Sequence, residues 1–146
     1  MAVSPIPAGF HTLTPYLVVT GAPKLIDFLK AAFGAVEKYR SARPDGTVMH
    51  ASLRVGDSML MMGEACGAFP AMPACLYLYV PDVDGTYRQA IAAGAVSIAE
   101  PTNQFYGDRH AGVKDPSGNQ WWIATHVEDV APEEIQRRAA QYSHGA

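Results

Sequence analysis

The sequence has few charges, few cysteines and no long apolar run. Only 17% of its 146 residues are charged, and its 11 lysines and arginines form no cluster, which argues against a binding face for nucleic acid or for an anionic membrane. No apolar segment approaches the roughly 20 residues that a membrane-spanning helix needs. The first ten residues lack the basic and apolar regions of a secretion signal. We therefore expect a cytoplasmic protein without nucleic-acid or membrane partners.

Other motifs with known chemistry are also missing. The two cysteines, Cys66 and Cys75, fit a reduced pair better than a disulfide in a chain without secretory features. The sequence contains neither a glycine-rich phosphate loop nor a G-x-S-x-G nucleophile motif. It therefore implies no organic cofactor and gives little support to nucleophilic catalysis.

The sequence does contain enough hydrophobic residues for a packed core, and it contains an internal repeat. Hydrophobic residues make up 49% of the chain, and its length suits a single domain, residues 1–146. The segment "PYLVV" at 15–19 returns as "LYLYV" at 76–80, and "FGAV" at 33–36 returns as "AGAV" at 93–96. The offset of about 60 residues predicts two copies of one structural unit.

Each copy begins with a strand and a helix that ends at a glycine. Helical spacing relates Leu25, Phe28, Leu29 and Ala32 in the first copy, and Val83, Tyr87, Ala90 and Ile91 in the second. Gly34 and Gly94 then suit the left-handed conformation that closes a helix. Turn signals after each glycine predict three further strands per copy, at 35–42, 48–55 and 58–64, then 96–103, 109–115 and 120–126.

These elements define an α+β fold. We expect two tandem βαβββ modules, at about 12–65 and 74–128, to form curved mixed sheets around a cavity. A last helix at about 132–142 is predicted by Pro132 in its first turn and by acidic residues that follow it. Its stripe of Ile135, Ala139 and Tyr142 would pack on the domain or on a partner subunit.

Side-chain alternation along the strands predicts which residues line the cavity. In "HASLRV", the apolar Ala51, Leu53 and Val55 face the helices, which leaves His50, Ser52 and Arg54 on the opposite face. The same alternation predicts a cavity face rich in Tyr, Trp and Met, which is typical of a ligand pocket. We assign to it Thr14, Tyr16, Val18, Leu60, Met62, Glu64, Cys75, Tyr77, Tyr79, Trp122, Ala124 and His126.

Four segments of the sequence resemble the vicinal oxygen chelate superfamily, which includes glyoxalase I, bleomycin-resistance proteins and extradiol dioxygenases. They are "TPYLVVTGAPKLIDFLKAAFGA", "VMHASLRVGDSMLMMGE", "LYLYVPDVDGTYRQAIAAGA" and, as the most specific, "YGDRHAGVKDPSGNQWWIATH". The likeness extends over about residues 12 to 128 and points to a bacterial glyoxalase-like subgroup. It supports the fold directly and the function less directly.

The resemblance also implies positions for a divalent metal. In the superfamily's metal enzymes, four inward side chains bind the ion, and the matching positions here are Thr14, Glu64, Cys75 and Trp122. Only Glu64 is a good ligand for a hard ion, and the Trp122 indole has no lone pair to offer. The usual metal site is therefore expected to be lost, although His50, Glu64, Cys75 and His126 remain candidates for a relocated one.

Several polar side chains are left with two interpretations each. In the first interpretation, Glu64 and His50 form an acid–base pair. In the second, Glu64 only ends a strand and His50 bonds to a backbone carbonyl. Arg54 either neutralises an anionic ligand or pairs with Glu64. Asp108 and Arg109 are expected to pair and fix their turn rather than contact ligand, and the neighbouring Tyr106 and Phe105 to line the pocket mouth. Of the methionines, Met62 is expected to face the cavity.

Three functions remain open from the sequence. The first is a metal-independent protein of the bleomycin-resistance type that binds an aromatic or apolar small molecule between its Tyr and Trp rings. The second is a lyase, isomerase or dioxygenase that uses an unusual metal site or the Glu64/His50 pair. The third is a partner-binding module. The resemblance further implies a homodimer, and in some members the cup is completed across the dimer.

Overall fold

A computed structural model describes residues 2–142 and shows two four-stranded mixed sheets with three helices. The first sheet has the strand order β1-β4-β3-β2 and the second β5-β8-β7-β6, so the two modules share one topology. The predicted α+β fold with two tandem βαβββ units and a C-terminal helix is confirmed. The elements are β1 Tyr16–Val19, α1 Ala22–Phe33, β2 Val36–Ala42, β3 Val48–Val55, β4 Ser58–Glu64, β5 Cys75–Tyr79, α2 Val83–Ala92, β6 Val96–Asn103, β7 Asp108–Lys114, β8 Gln120–His126 and α3 Pro132–Gln141.

The register of the first sheet corrects the predicted faces of β4. The hairpin between β3 and β4 pairs Leu53 with Leu60 and Ala51 with Met62, and directly paired residues share a face. Met62 is accordingly 0% exposed in the core, whereas Met61 lies on the concave face opposite the helices. The expectation that Leu60, Met62 and Glu64 lie on the concave face with Tyr16 is therefore wrong, because all three lie on the helix side of the sheet.

Glu64 completes the start of α1. Its two carboxylate oxygens accept hydrogen bonds from the backbone N–H groups of Gly21 and Ala22, at 2.8 and 2.9 Å. A helix N-terminus leaves such N–H groups without intrahelical partners and favours a negative charge. Gly21 itself adopts a left-handed conformation with φ of 84° and contributes no side-chain cap. Glu64 therefore supplies, from a distant strand, the cap that the local sequence lacks.

The helices end close to the predicted glycines. Gly34 is the left-handed cap of α1, with φ of 67°, as expected. In α2 the capping residue is Ala93 in a right-handed conformation, and Gly94 takes the positive φ one residue later. Of the expected helical stripe in α2, Val83 and Ala90 are buried, but Ile91 is exposed.

The turn between β7 and β8 is fixed by Asp115. Its buried carboxylate accepts hydrogen bonds from the backbone of Ser117 and Asn119, from the Asn119 amide, and from the Trp121 indole at 2.8 Å. Asn119 in turn accepts from the backbone N–H of Ala74 at 2.9 Å, next to the start of β5. This segment, which carried the most specific resemblance, therefore sets the positions of two strands of the second sheet.

The two modules meet through their helices. Within residues 2–142, α1 packs on α2, while the strands of one sheet make no comparable contact with those of the other. The core is continuous across the modules, and the rings of Phe33 and Trp121 lie 5.1 Å apart at this junction. The concave faces of both sheets therefore point away from the shared core, and Tyr16, Tyr39, Tyr77 and Tyr79 on them are exposed.

The helix α3 lies on the surface of the second module. None of its residues is buried. Of the predicted stripe of Ile135, Ala139 and Tyr142, the Tyr142 ring lies near that of Phe105, with the ring centroids 5.1 Å apart. In the described part of the chain, no helix combines the length and apolarity that crossing a bilayer requires.

The cap from Glu64 leads to a stability prediction. We expect Glu64→Ala to lower the free energy of unfolding by about 1–2 kcal/mol, because two helix N–H groups lose a charged acceptor. The measurement is urea unfolding at neutral pH. Glu100→Ala is the control, since Glu100 is exposed on β6 and should change stability little. Equal stability of the Glu64 variant and the control would contradict this role.

Candidate functional site

The concave face of the second sheet is organised around the carboxylate of Asp108. Asp108 is only 4% exposed. One oxygen accepts hydrogen bonds from the hydroxyls of Tyr77 and Tyr79, both at 2.9 Å. The other oxygen lies 2.8 Å from Nδ1 of His126. One residue of β7 thus joins two residues of β5 and one of β8.

Strand register explains how these groups converge. Asp108 is paired with His126 across β7 and β8. The tyrosines come from β5, on the far side of β8, and their side chains must cross β8 to reach Asp108. The β8 residue in register with Tyr79 is Ala124, whose small side chain leaves the space that this crossing needs.

The cluster holds Asp108 ionised. Burial raises the pKa of the Asp108 carboxyl, but the hydrogen bonds from His126, Tyr79 and Tyr77 together outweigh burial and keep that pKa below its usual 3.8. The hydrogen bonds of His126 to Asp108 and to Asp129 raise the pKa of the imidazole above 6.5. Its two nitrogens lie 2.8 and 2.7 Å from these carboxylates.

The pKa shifts of Tyr77 and His110 favour the neutral form of each group. Burial, followed by the hydrogen bonds with Tyr106 and Asp108, raises the pKa of the Tyr77 phenol well above 10. Burial lowers the pKa of His110 below 6.5, and the charge of Asp108 opposes that shift only in part. At neutral pH the site therefore contains one buried anion among neutral rings, with the His126–Asp129 pair at its edge.

Trp122 forms the aromatic floor of this face. It is paired in register with Tyr77 on one side and with Gly112 on the other. A Cβ at Gly112 would come within 2.7 Å of the indole ring, so only glycine lets the ring lie against β7. The imidazole of His110 is tilted over the indole with centroids 5.1 Å apart. The indole N–H donates to the Gln120 side chain at 3.3 Å.

Tyr106 reaches the site from a turn that α3 holds in place. Its hydroxyl lies 3.0 Å from Nδ1 of His110. One nitrogen of Arg138 in α3 donates to the Phe105 carbonyl at 3.1 Å and to Glu128 at 3.0 Å. A Cβ at Gly107 would overlap the Glu128 carbonyl oxygen, so the turn can approach the chain after β8 this closely only with glycine there. The C-terminal helix therefore positions a side chain of the site.

The concave face of the first sheet is different in character. His50 lies beside Tyr16 and Tyr39, with ring centroids 5.7 and 6.2 Å apart, and its Nε2 lies 3.2 Å from the Ser52 hydroxyl. Arg54 is exposed on the same face. These residues follow the predicted alternation, but they surround no buried charge comparable with Asp108.

The structure separates the predicted acid–base pair. His50 lies on the concave face of the first sheet, whereas Glu64 binds the start of α1 on the other face. The pairing of Arg54 with Glu64 is excluded by the same geometry. Thr14 precedes β1 and donates to the His11 carbonyl at 3.0 Å.

The second sheet holds most of the remaining predicted positions. Cys75, Tyr77, Tyr79, Trp122 and His126 share its concave face, as the alternation predicted. Cys75 and Cys66 are both exposed free thiols.

The side chains at the four positions implied for a metal site are not suited to bind a metal ion together. Glu64 is committed to two backbone N–H groups, and the Trp122 nitrogen is a donor without a free lone pair. Within residues 2–142, no three His, Cys, Asp or Glu side chains are grouped as metal ligands. The relocated set of His50, Glu64, Cys75 and His126 is divided between the two sheets.

The expected pairing of Asp108 with Arg109 is wrong. The two residues are neighbours on a strand and point to opposite faces. Arg109 forms an ion pair with Asp84 of α2 at 3.0 Å, in which Nε and Nη2 of the guanidinium each donate to one oxygen of that carboxylate. His110 and Gly112 were not among the predicted site residues. Their alternation with Asp108 along β7 was the signal that would have placed all three opposite Tyr77 and Trp122.

A large cavity lies elsewhere on the molecule. Its volume is about 750 Å³, and it lies between the two modules, next to the β3–β4 turn and the edge of β5. Its lining includes Leu13, Phe33, Leu60, Leu78 and Trp121. A smaller one of about 490 Å³ lies beside Tyr16, Met49 and Phe69. The Asp108 cluster, by contrast, is on an open sheet face.

The family model for the Glyoxalase/Bleomycin resistance protein/Dioxygenase superfamily matches residues 9–123. The chain belongs to this superfamily. An uncharacterized protein of Mycobacterium bovis, Mb0911c, is 36% identical over 99% of both chains, and Rv0887c of Mycobacterium tuberculosis is 36% identical over 99% of this chain and 88% of its own.

Two solved structures share the fold. TioX from Micromonospora sp. ML1 superposes with a TM-score of 0.68 at 24% identity, over 80% of this chain and 99% of its own. TnmS3 from Streptomyces sp. CB03234, an antibiotic binding protein, gives a TM-score of 0.65 at 22% identity, over 86% of this chain and 98% of its own. At these identities the likeness concerns the architecture.

The two histidines of the site are expected to titrate on opposite sides of 6.5. In an NMR titration of the imidazole protons, His126 should titrate above this value because two carboxylates bind it, and His110 below it because it is buried. A raised folded-state pKa means that His126 stabilises the fold below about pH 6.5, and that this contribution disappears as the pH rises through its folded-state pKa.

Two variants separate the contributions of the two carboxylates to the raised pKa of His126. Asp108→Asn should lower the pKa of His126 by removing the buried carboxylate, and Asp129→Asn should lower it by removing the exposed one. If the pKa values of both histidines shifted in the same direction in the unmodified protein, the proposed arrangement of charges around Asp108 would be contradicted.

Proposed function

We propose that the protein binds an aromatic or apolar small molecule on the concave face of its second sheet, in the manner of bleomycin-resistance proteins and without a catalytic metal. The observation that carries the proposal is the Trp122 indole. It lies flat against Gly112, tilted against His110 and half-buried on an open face. Such a ring offers a large, rigid contact area to a planar ligand at little cost in conformational entropy.

The surroundings of Trp122 support the same use. Tyr77 and Tyr79 are 44% and 62% exposed although their hydroxyls are fixed on Asp108. Their rings lie 5.3 Å apart. The face is therefore preorganised, since its aromatic groups are held by hydrogen bonds before any ligand arrives. Antibiotic binding by TnmS3, which shares the fold, agrees with this proposal.

A second copy of the chain is the proposed cover of this face. Both concave faces are open, and each presents exposed aromatic side chains instead of facing the other within one chain. Exposed aromatic side chains of this kind are enriched at protein interfaces. In the proposed homodimer, the first sheet of one copy lies over the second sheet of the other, and the ligand is enclosed between them.

The binding proposal is tested with a panel of planar aromatic compounds. We expect members of the panel to raise the melting temperature of the protein, and Trp122→Ala to abolish this rise because the stacking surface is lost. Trp122→Phe is the matched control: it keeps an aromatic ring and should retain part of the effect. No response across a broad panel, or full retention in Trp122→Ala, would contradict the proposal.

Light scattering tests the dimer. The expected particle has twice the mass of the chain, and Tyr39→Glu, on the exposed concave face of the first sheet, should shift it toward the monomer. Lys24→Glu changes the charge on the exposed side of α1 and should leave the mass unchanged. A monomer at micromolar concentration would refute the shared cup.

A further inference from the structure

The direction of the hydrogen bonds at Asp108 limits what the site can recognise. A carboxylate without a proton accepts hydrogen bonds and donates none, and the cluster keeps Asp108 in that form. The hydrogens of the Tyr77 and Tyr79 hydroxyls must therefore point at Asp108, over distances of 2.9 Å each. What these two hydroxyls have left to offer a ligand is their oxygen lone pairs.

Tyr79 shows this most clearly. Asp108 is the single hydrogen-bond partner of its hydroxyl within residues 2–142, and the residue is 62% exposed. The phenol oxygen thus faces the open side of the sheet as an acceptor. Tyr77 differs, because its oxygen also lies 3.5 Å from the Tyr106 hydroxyl and 3.4 Å from Nδ1 of His110.

His126 does not supply a free donor to the ligand either. Both ring nitrogens of His126 are occupied, one by Asp108 and one by Asp129. With His126 protonated, these three groups carry a net charge of about −1 by simple addition of formal charges. Lys114 is the basic residue of β7 with the same alternation as Asp108, but it lies at the opposite end of that strand.

We propose that the ligand of this site carries an N–H donor, and preferably a positive charge, on its planar aromatic body. The donor would bind the Tyr79 oxygen, while the ring stacks on Trp122. An exposed aromatic face next to net negative charge favours cations through the ring quadrupole as well as through the carboxylates. This inference rests on the proposed function and adds the class of compound to it.

Two probes of similar shape test the inference. Proflavine is a planar cation with two amino groups, and acridine is the same ring system without them, uncharged at mildly alkaline pH. Fluorescence titration should show tighter binding of proflavine to the unmodified protein. In Tyr79→Phe, which keeps the ring and removes the oxygen, the affinity for proflavine should fall about tenfold, as expected for one hydrogen bond to a charged group. The affinity for acridine should be unchanged.

Tyr87→Phe is the matched control, because its hydroxyl donates to Ser97 at 2.7 Å on the helix side of the same module. It should change neither affinity. Equal binding of the two probes, or equal losses for both in Tyr79→Phe, would overturn the donor requirement while leaving the proposed function intact if Trp122→Ala still abolished binding. If neither probe bound while other planar aromatic compounds of the panel still did, the donor requirement would fall and the proposed function would stand; no response across the whole panel would overturn both.

Discussion

The aromatic face of the second module depends on one buried charge. An ionised carboxylate at 4% exposure is tolerated only when donors compensate for the lost water. Asp108 has three such donors, two from β5 and one from β8. Removing a partner from a buried charge commonly costs about 3–5 kcal/mol. The positions of Tyr77, Tyr79 and His126 are therefore consequences of stability, and the ordered aromatic face that we propose as a binding site follows from them.

Two backbone constraints complete that face. Gly112 gives the Trp122 ring the space to lie against β7, and Gly107 lets the Tyr106 turn approach the segment after β8. Arg138 then fixes this turn through the Phe105 carbonyl and Glu128. The C-terminal helix has no buried residue, so its role in the structure is the support of this turn more than any contribution to the core.

Most of the fold was predictable because turns and helix ends have local causes. The strands after each helix match the predicted ranges to within one residue. The faces of β4 were predicted wrongly, because the alternation of side chains was counted along one strand without the register across the hairpin. That register pairs Leu53 with Leu60. The central place of Asp108 in the site was missed for a related reason. Adjacent charges suggested a pair between Asp108 and Arg109, but their partners Tyr77 and Asp84 are distant in sequence and only the folded chain brings them near.

The most direct test is a crystal structure of the protein with a bound planar aromatic compound, because the molecule offers two very different places for it. We predict that the ring stacks on Trp122, on the concave face of the second sheet and under the first sheet of a second copy. Density for the compound in the 750 Å³ cavity between the modules, with the Trp122 face empty, would contradict the proposed site.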